Sequence, residues 1–574
     1  MPKYNGLTLQ FIHRTPLLLC ITALLSTTLW ISCGKPDSAV DNRQVFRMNL
    51  DAGLESLDPA FASSRSPIWM TAQVYNGLVR QDGTFATQPV IARRWTVSDS
   101  GRVYTFHLRD DVFFHPSPHL GPDSTRRVVA QDFVYSFTRL LDPQVAAKGS
   151  WIFRGRIEGA NAFAAGEAER VAGFEAPNDS TLRLTLRRPF PAILGLLAMP
   201  YAYVVPREVV EHYGDDFGRH PIGTGPFRLY RWADGQHLIL HRNPHYFARD
   251  SAGQRLPYLD AVSVKFIPSR LTAFVAFRQN QLDFIGDLDA SYRDEVLNRD
   301  GSLREPYASD YTFILAPQLN TEYLGMLVDD TAAVAQGHPL LDRRLRQALN
   351  YAIDRERLVR YLLNGMGYPA QAGFIPYGLP SHDPEAVRGY RYDPDRARQL
   401  LAEAGYPNGE GLPTLTLHST QKYAAISEYI QKSLETIGVK LEIQNQQGGA
   451  LRGDVYGVRL TFWRASWIAD YPDGENYLSL FYSENFSPNG PNTTHFAVPR
   501  YDSLYRAAAR VTDDSARYAL YHAMERLMLT EAPIIALYYD RSFRMLQPGW
   551  TGLGSNAMNH LYLARVRRGV SSGQ

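Results

Sequence analysis

Asp470 stands three residues after Trp467 and seven after Trp463, inside the run RASWIADYPDGENY at 464–477. Leu460 and Phe462 mark an apolar strand leading into it, and Arg464 and Ser466 lie along the way. A carboxylate beside aromatic faces is suited to holding a cation, because acid and ring both favour positive charge while the rings exclude water. Asp470, Arg464, Trp467, Ser466 and Trp463 are therefore the candidate ligand-binding residues. The plainer readings are a turn cap or an internal pair with Arg464 for Asp470, a surface guanidinium for Arg464 and a core ring for Trp467. Asp473 and Glu475 fit acids in the first turn of a following helix.

Other chemistry is thinly represented. The chain has no G-x-S-x-G elbow, P-loop or H-E-x-x-H helix. Ser419-Thr420-Gln421-Lys422 matches the S-x-x-K of penicillin-binding enzymes, but the K-T-G and S-D-N elements that complete such a site do not follow it. A serine hydrolase using Ser419 and Lys422 is thus the alternative from another class. His237, His241 and His245 recur every fourth residue, yet the segment reads as a strand, and Pro244 excludes a helix interior. Four strand residues separate side chains by about 13 Å, too far to share an ion. His115 and His119 sit among prolines and glycine in a loop. No catalytic residue, cofactor or metal is expected.

The elements that must position Asp470 are mixed α and β. Alternating apolar residues predict strands at 102–109, 181–187 and 262–266, with a helix over 131–141 stopped by Asp142-Pro143. Asp342 caps a long helix ending before Gly365, and Asp393-Pro394 opens another that ends at Gly405. A third carries Ile426, Ile430, Leu434 and Ile437, stops at Gly438 and leads into a strand over 439–443. A helical region at 501–530 precedes a strand at 534–539. Helix followed promptly by strand, repeated, indicates α/β layering.

The first 32 residues read as a targeting segment. Lys3 and Arg14 precede an apolar run at 15–30 that is too short to cross a membrane. It ends at Ile31-Ser32-Cys33-Gly34, which resembles a bacterial lipobox, although Trp30 departs from the usual leucine. Cys33 is the expected lipidation site, and a polar tether follows over 33–45. Of the two cysteines, only Cys33 survives cleavage there, so a disulfide, a cysteine-based metal cluster and a buried cysteine nucleophile are excluded. The chain has 60 basic and 58 acidic residues, and the leader removes only Lys3 and Arg14. Charge balance of this kind gives no footprint for nucleic acid or an acidic membrane surface.

Nine segments in consistent order resemble the family 5 extracellular solute-binding proteins of ABC transporters, the peptide and oligopeptide binders. They are SLDP (56–59), VYNGLVR (74–80), PVIARRW (89–95), YTFHLRDDV (104–112), AQDFVYSFTRLLDP (130–143), PIGTGPF (221–227), LRQALNYAIDRERLV (345–359), YDPDRARQLLAEAGYPNG (392–409) and SWIADYPDGENYL (466–478). The loop after Val112 is longer than usual, and Gly474 stands where many relatives have proline, a change expected to loosen the loop after Asp470. The resemblance implies a bilobal α/β periplasmic-binding-protein fold of type II, in the large form with an insertion. The expected divisions are lobe I at 46–90 with 216–317 and 536–567, an insertion at 91–215 and lobe II at 318–535. Crossing segments are expected at 312–323 and 534–539, and the fold would place Gly223 and Gly225 in turns needing positive φ.

The resemblance also implies function. An aspartate at the position of Asp470 pairs with a peptide's α-ammonium in such proteins, and Arg464 matches a position able to meet a ligand carboxylate. The expected protein is a lipid-anchored monomer in the cell envelope, on the periplasmic side, which delivers peptides to ABC permease subunits and performs no chemistry. Within the same fold, a nickel chelate, haem or short oligosaccharide is the alternative ligand, and none of these gives a buried acid a cationic partner.

Overall fold

The computed structural model describes residues 43–569. The leader 1–32, Cys33 and tether residues 34–42 lie outside the described residues.

One mixed sheet organises most of the chain. Its strand order is Leu441–Asn445, Leu415–Ser419, Phe462–Ile468, Thr312–Met326, Ile534–Leu546, Phe284–Ile285, Val45–Leu50, Ala261–Phe266, His237–Arg242 and Phe227–Ala233, with Gly367–Pro369 also pairing onto 534–546. Each end has its own apolar core. Phe46, Met48, Phe227 and Val262 share one core with Phe106 and Phe133 of the 91–215 segment. Leu324, Leu345, Leu400, Leu417, Ile430 and Phe462 form another. The segment 91–215 carries a separate sheet, ordered Ala92–Ser98, Val103–Leu108, Thr181–Thr185 and Phe174–Asn178.

Two strands run through both halves, at the places where crossing segments were expected but longer. Thr312–Met326 has 15 residues and Ile534–Leu546 has 13. They pair antiparallel in three runs, with register shifts between Pro317 and Thr321 and between Glu322 and Tyr323. A register shift bends and twists the paired strands. The sheet therefore changes direction between its two cores here.

The SLDP and SFTRLLDP segments turn out to be partners. Asp58 caps the short turn Pro59–Phe61 by accepting from the Ala60 N–H, and its carboxylate takes Arg139 of helix Ala130–Leu141 at 3.0 and 2.6 Å. Both side chains are nearly inaccessible, at 4% and 11%. This paired charge ties the front of the chain to the 91–215 segment.

Three sequence expectations need correction. The helix capped by Asp342 ends at Tyr351, because Asp354 accepts the Arg357 N–H at 2.9 Å and starts a fresh turn that continues as the π-helical turn Leu358–Leu362. Gly223 and Gly225 do not have positive φ. They are needed for close approach, since a Cβ would stand 2.1 Å from the Val74 carbonyl oxygen at Gly223 and 2.5 Å from that of Gln73 at Gly225. Gly474 does not loosen its loop. It is buried at the start of helix Gly474–Leu478, where a Cβ would press on Ser381, Ile375 and Tyr521 at 2.8–2.9 Å.

Candidate functional site

Asp470 follows the strand Phe462–Ile468, which pairs antiparallel with Thr312–Met326 in the middle of the sheet. Its position is set by Asn476. The Asn476 amide oxygen accepts from the Asp470 N–H at 3.2 Å and from the Trp467 indole N–H at 2.9 Å, and its Nδ2 donates to Asp470 Oδ2 at 3.4 Å. Asn476 sits on a helix whose cap, Asp473, accepts the Glu475 N–H and the Tyr521 hydroxyl and pairs with Arg517 at 3.2 Å. The first turn of that helix thus aims one amide back at the candidate site. Asn476 lay within the quoted motif but was missed as a site residue; its only sequence signal is a polar amide six residues after the acid.

The environment of Asp470 spans two parts of the chain. Tyr201 and Arg156 come from the 91–215 segment, and Tyr456 and Tyr477 flank the motif itself. Tyr201 is pushed up to about 12, by burial first and then by the Asp470 charge. Tyr456 and Tyr477 are raised for the same two reasons. Asp470 was expected as a buried acid; in the chain alone it is exposed. Protein nevertheless surrounds it closely enough that desolvation raises its pKa, opposed by the Asn476 hydrogen bond and the Arg156 charge. Among the described residues Asp470 has no ion pair within 4 Å.

The other candidates divide. Trp467 is half-buried and tied to Asn476, as above. Ser466 is half-buried and sits opposite Glu322 across the strand pair. Trp463 requires correction: it is 1% exposed, packed against Leu327, Leu451, Val455 and Leu460, with Gly325 leaving space for its indole. A ring enclosed in that core cannot wall a cleft; both Phe462 and Trp463 are buried, in different cores, at the start of the strand. The Arg464 guanidinium is engaged internally, paired with Glu322 and lying 3.2 Å above the Tyr423 ring.

The hydrolase alternative has no geometry. Ser419 is fully buried with its Oγ 3.0 Å from Ser427 Oγ, whereas Lys422 is exposed over the Tyr423 ring. His115 is likewise structural: its Nε2 lies 2.9 Å from the Gly225 carbonyl oxygen, and burial drives its pKa down to about 4. No group of three or more His, Cys, Asp or Glu is placed to hold a metal among the described residues. A cavity of about 1150 Å³ opens beside helices Ala130–Leu141 and Arg207–Tyr213, away from Asp470, but its charged walls are tied to each other, Arg126 to Asp132 and Glu208, Arg139 to Asp58.

A loop beside the crossing strands is held by a second unusual acid. Glu525 Oε1 accepts the N–H groups of Phe374 and Ile375 at 2.7 and 2.9 Å, and the Phe374 carbonyl in turn accepts the Thr321 hydroxyl. Burial raises Glu525 to about 8. The folded chain therefore holds this proton more tightly than the unfolded chain, and stability should fall as pH rises from about 4.5 towards about 8. Glu525→Gln keeps the acceptor without the charge. It should be more stable than the parent at pH 8 and no more stable at pH 4, in parallel urea titrations; a pH-independent difference would refute this.

The profile of the bacterial extracellular solute-binding proteins, family 5 Middle, matches residues 86–489, and the chain belongs to that family. The periplasmic oligopeptide-binding protein OppA of Salmonella typhimurium (strain LT2) is 27% identical over 560 residues, covering 95% of this chain and 96% of the relative. The glutathione-binding protein GsiB of the same organism is 27% identical over 494 residues, covering 85% and 87%. The solved structure of the Escherichia coli murein tripeptide binding protein MppA matches with a TM-score of 0.70 at 25% identity, covering 92% of this chain and 99% of that one. The fold is the bilobal type II binding-protein fold, and the family binds solutes rather than transforming them.

Proposed function

We propose that this chain captures free peptides between its lobes outside the cytoplasm, in the periplasmic space, and delivers them to an ABC permease. The observation that carries this reading is Asp470, whose charge acts on Tyr201, Tyr456 and Tyr477 and which has no ion pair within 4 Å among the described residues. Every free peptide has an α-ammonium whatever its side chains, so an acid at that point gives affinity without sequence preference. The names of the relatives, oligopeptide, glutathione and murein tripeptide binders, are of the same kind. An anionic chelate or a neutral sugar would leave the acid without a partner.

Free peptides of two to six residues should raise the melting temperature by mass action on the folded state, and their N-acetylated forms should not. Equal stabilisation by both forms would remove Asp470 from the ammonium role.

The lobe boundaries belong to the same proposal: 46–90 with 216–317 and 536–567, the insertion 91–215, and 318–535. The crossing-strand register shifts and the separate sheet of 91–215 support them. The chain acts as a monomer held by a lipid on Cys33. Cys33→Ser should then move the protein from the membrane to the soluble fraction; unchanged partition would dispose of the anchor.

A further inference from the structure

The register shifts of the crossing strands hold a second acidic feature, and the inference drawn from it rests on the peptide reading above. Asn320 Nδ2 donates to Glu322 Oε1 at 3.0 Å and to Asp540 Oδ2 at 2.7 Å, so one amide bridges two carboxylates. Arg464 is the cation paired there, and its partner is Glu322. Asp540 has no ion pair within 4 Å among the described residues. A separate observation comes from Asn320 itself: the residue is 3% exposed, and its Oδ1, on the amide that joins the two acids, has no hydrogen-bond partner. A buried acceptor left unpaired is costly. Asp540, which has no ion pair, and that oxygen, which has no donor, are joined through one amide, and the Nε of Arg464 beside Glu322 is likewise unpartnered.

The feature is within reach of a guest. Asp540, Arg464 and Ser466 are half-buried, and Ile468, farther along the same strand, is 58% exposed. Asn320 and Glu322 stand opposite Ile468 and Ser466, two and four residues before Asp470, about 7–13 Å of extended chain. A peptide anchored by its ammonium on Asp470 and advancing roughly 3.3 Å per residue brings its third to fifth side chains towards the bridge.

We propose that Glu322 and Asp540, joined by Asn320, receive a second cation, so that the preferred cargo is a peptide with lysine or arginine at its third to fifth residue. Arg464 then acts as an internal counter-ion to Glu322 and not as the receptor for the peptide carboxylate. Asp540 is raised to about 7, by burial first and next by Glu322, while Asn320, Arg464 and Arg293 oppose the shift. Tyr423, Tyr538 and Tyr323 are the tyrosines that also face this cluster. The preference should accordingly weaken as pH falls below about 7, because Asp540 gains a proton.

Calorimetry with free pentapeptides tests this: all-alanine, and single lysine or glutamate substitutions at positions three, four and five. At pH 8 at least one lysine peptide should bind about tenfold tighter than the alanine peptide, the lower range for a partly desolvated charge pair, and glutamate peptides should bind more weakly. Asp540→Asn should close the lysine-to-alanine gap, as should lowering the pH to 5.5. Glu322→Gln, which releases Arg464, should shift preference towards glutamate. Equal affinity for lysine and alanine peptides at every position overturns the inference and leaves peptide capture standing. Absence of binding by any free peptide overturns both.

Discussion

Asp470→Ala should weaken binding of a free peptide by about 2–5 kcal/mol, the range for stripping one member of a desolvated ion pair. The loss should be confined to peptides with a free ammonium, so N-acetylated peptides, weak from the outset, should lose little more. Asp470→Asn separates charge from shape, since it keeps the contacts to Asn476 and removes the negative charge. It should fall close to the alanine variant. The pH response has a definite sign. Desolvation by the surrounding protein raises the Asp470 carboxyl, so the acid protonates at a higher pH than an ordinary aspartate, and affinity should decline as pH falls through that raised value. The peptide ammonium stays charged throughout this range. Calorimetric affinity within twofold of the parent would rule out the assignment.

The second large effect concerns stability. Arg139→Met should destabilise the chain by about 3–5 kcal/mol, because it leaves the Asp58 carboxylate buried without its partner. Replacing both residues with leucine should recover much of that loss, since a buried pair exchanged for apolar groups is often neutral. Urea denaturation of the two variants beside the parent gives both numbers. A single variant within about 1 kcal/mol of the parent would mean that water or a neighbouring group satisfies Asp58. Ligand affinity should be unchanged at temperatures where the variant remains folded, because the pair lines the cavity beside helix Ala130–Leu141, whose walls do not include Asp470.

Local patterns carried a large part of this fold. The strands near 103–108, 181–185 and 261–266, the helix Ala130–Leu141 and the Asp393-capped helix lie within a residue or two of their expected places. In each, the apolar period and the punctuation are local, and neighbours along the chain suffice to set them. The helix after Asp342 shows the limit: its apolar face continues past Tyr351, but the Asp354 side chain takes a backbone N–H and restarts the turn. Asp354 reads equally well as a surface acid. Gly223 and Gly225 show another limit, since the backbone that crowds them, at Gln73 and Val74, is about 150 residues away.

By itself the sequence marked out the α/β class, the acid at 470 and the aromatic residues beside it, because these depend on residue type and short spacing. Tertiary structure alone decided which way each side chain of the 462–468 strand faces: Trp463 into a core, Arg464 onto Glu322, Trp467 towards the amide that holds Asp470. It also brought Tyr201 and Arg156 to that acid, and Asn320 to Asp540. The physical reason is range. Hydrophobic period and capping act over a few residues, whereas charge pairing and desolvation depend on what packs within several ångströms in space, which here comes from positions some 140 to 310 residues apart.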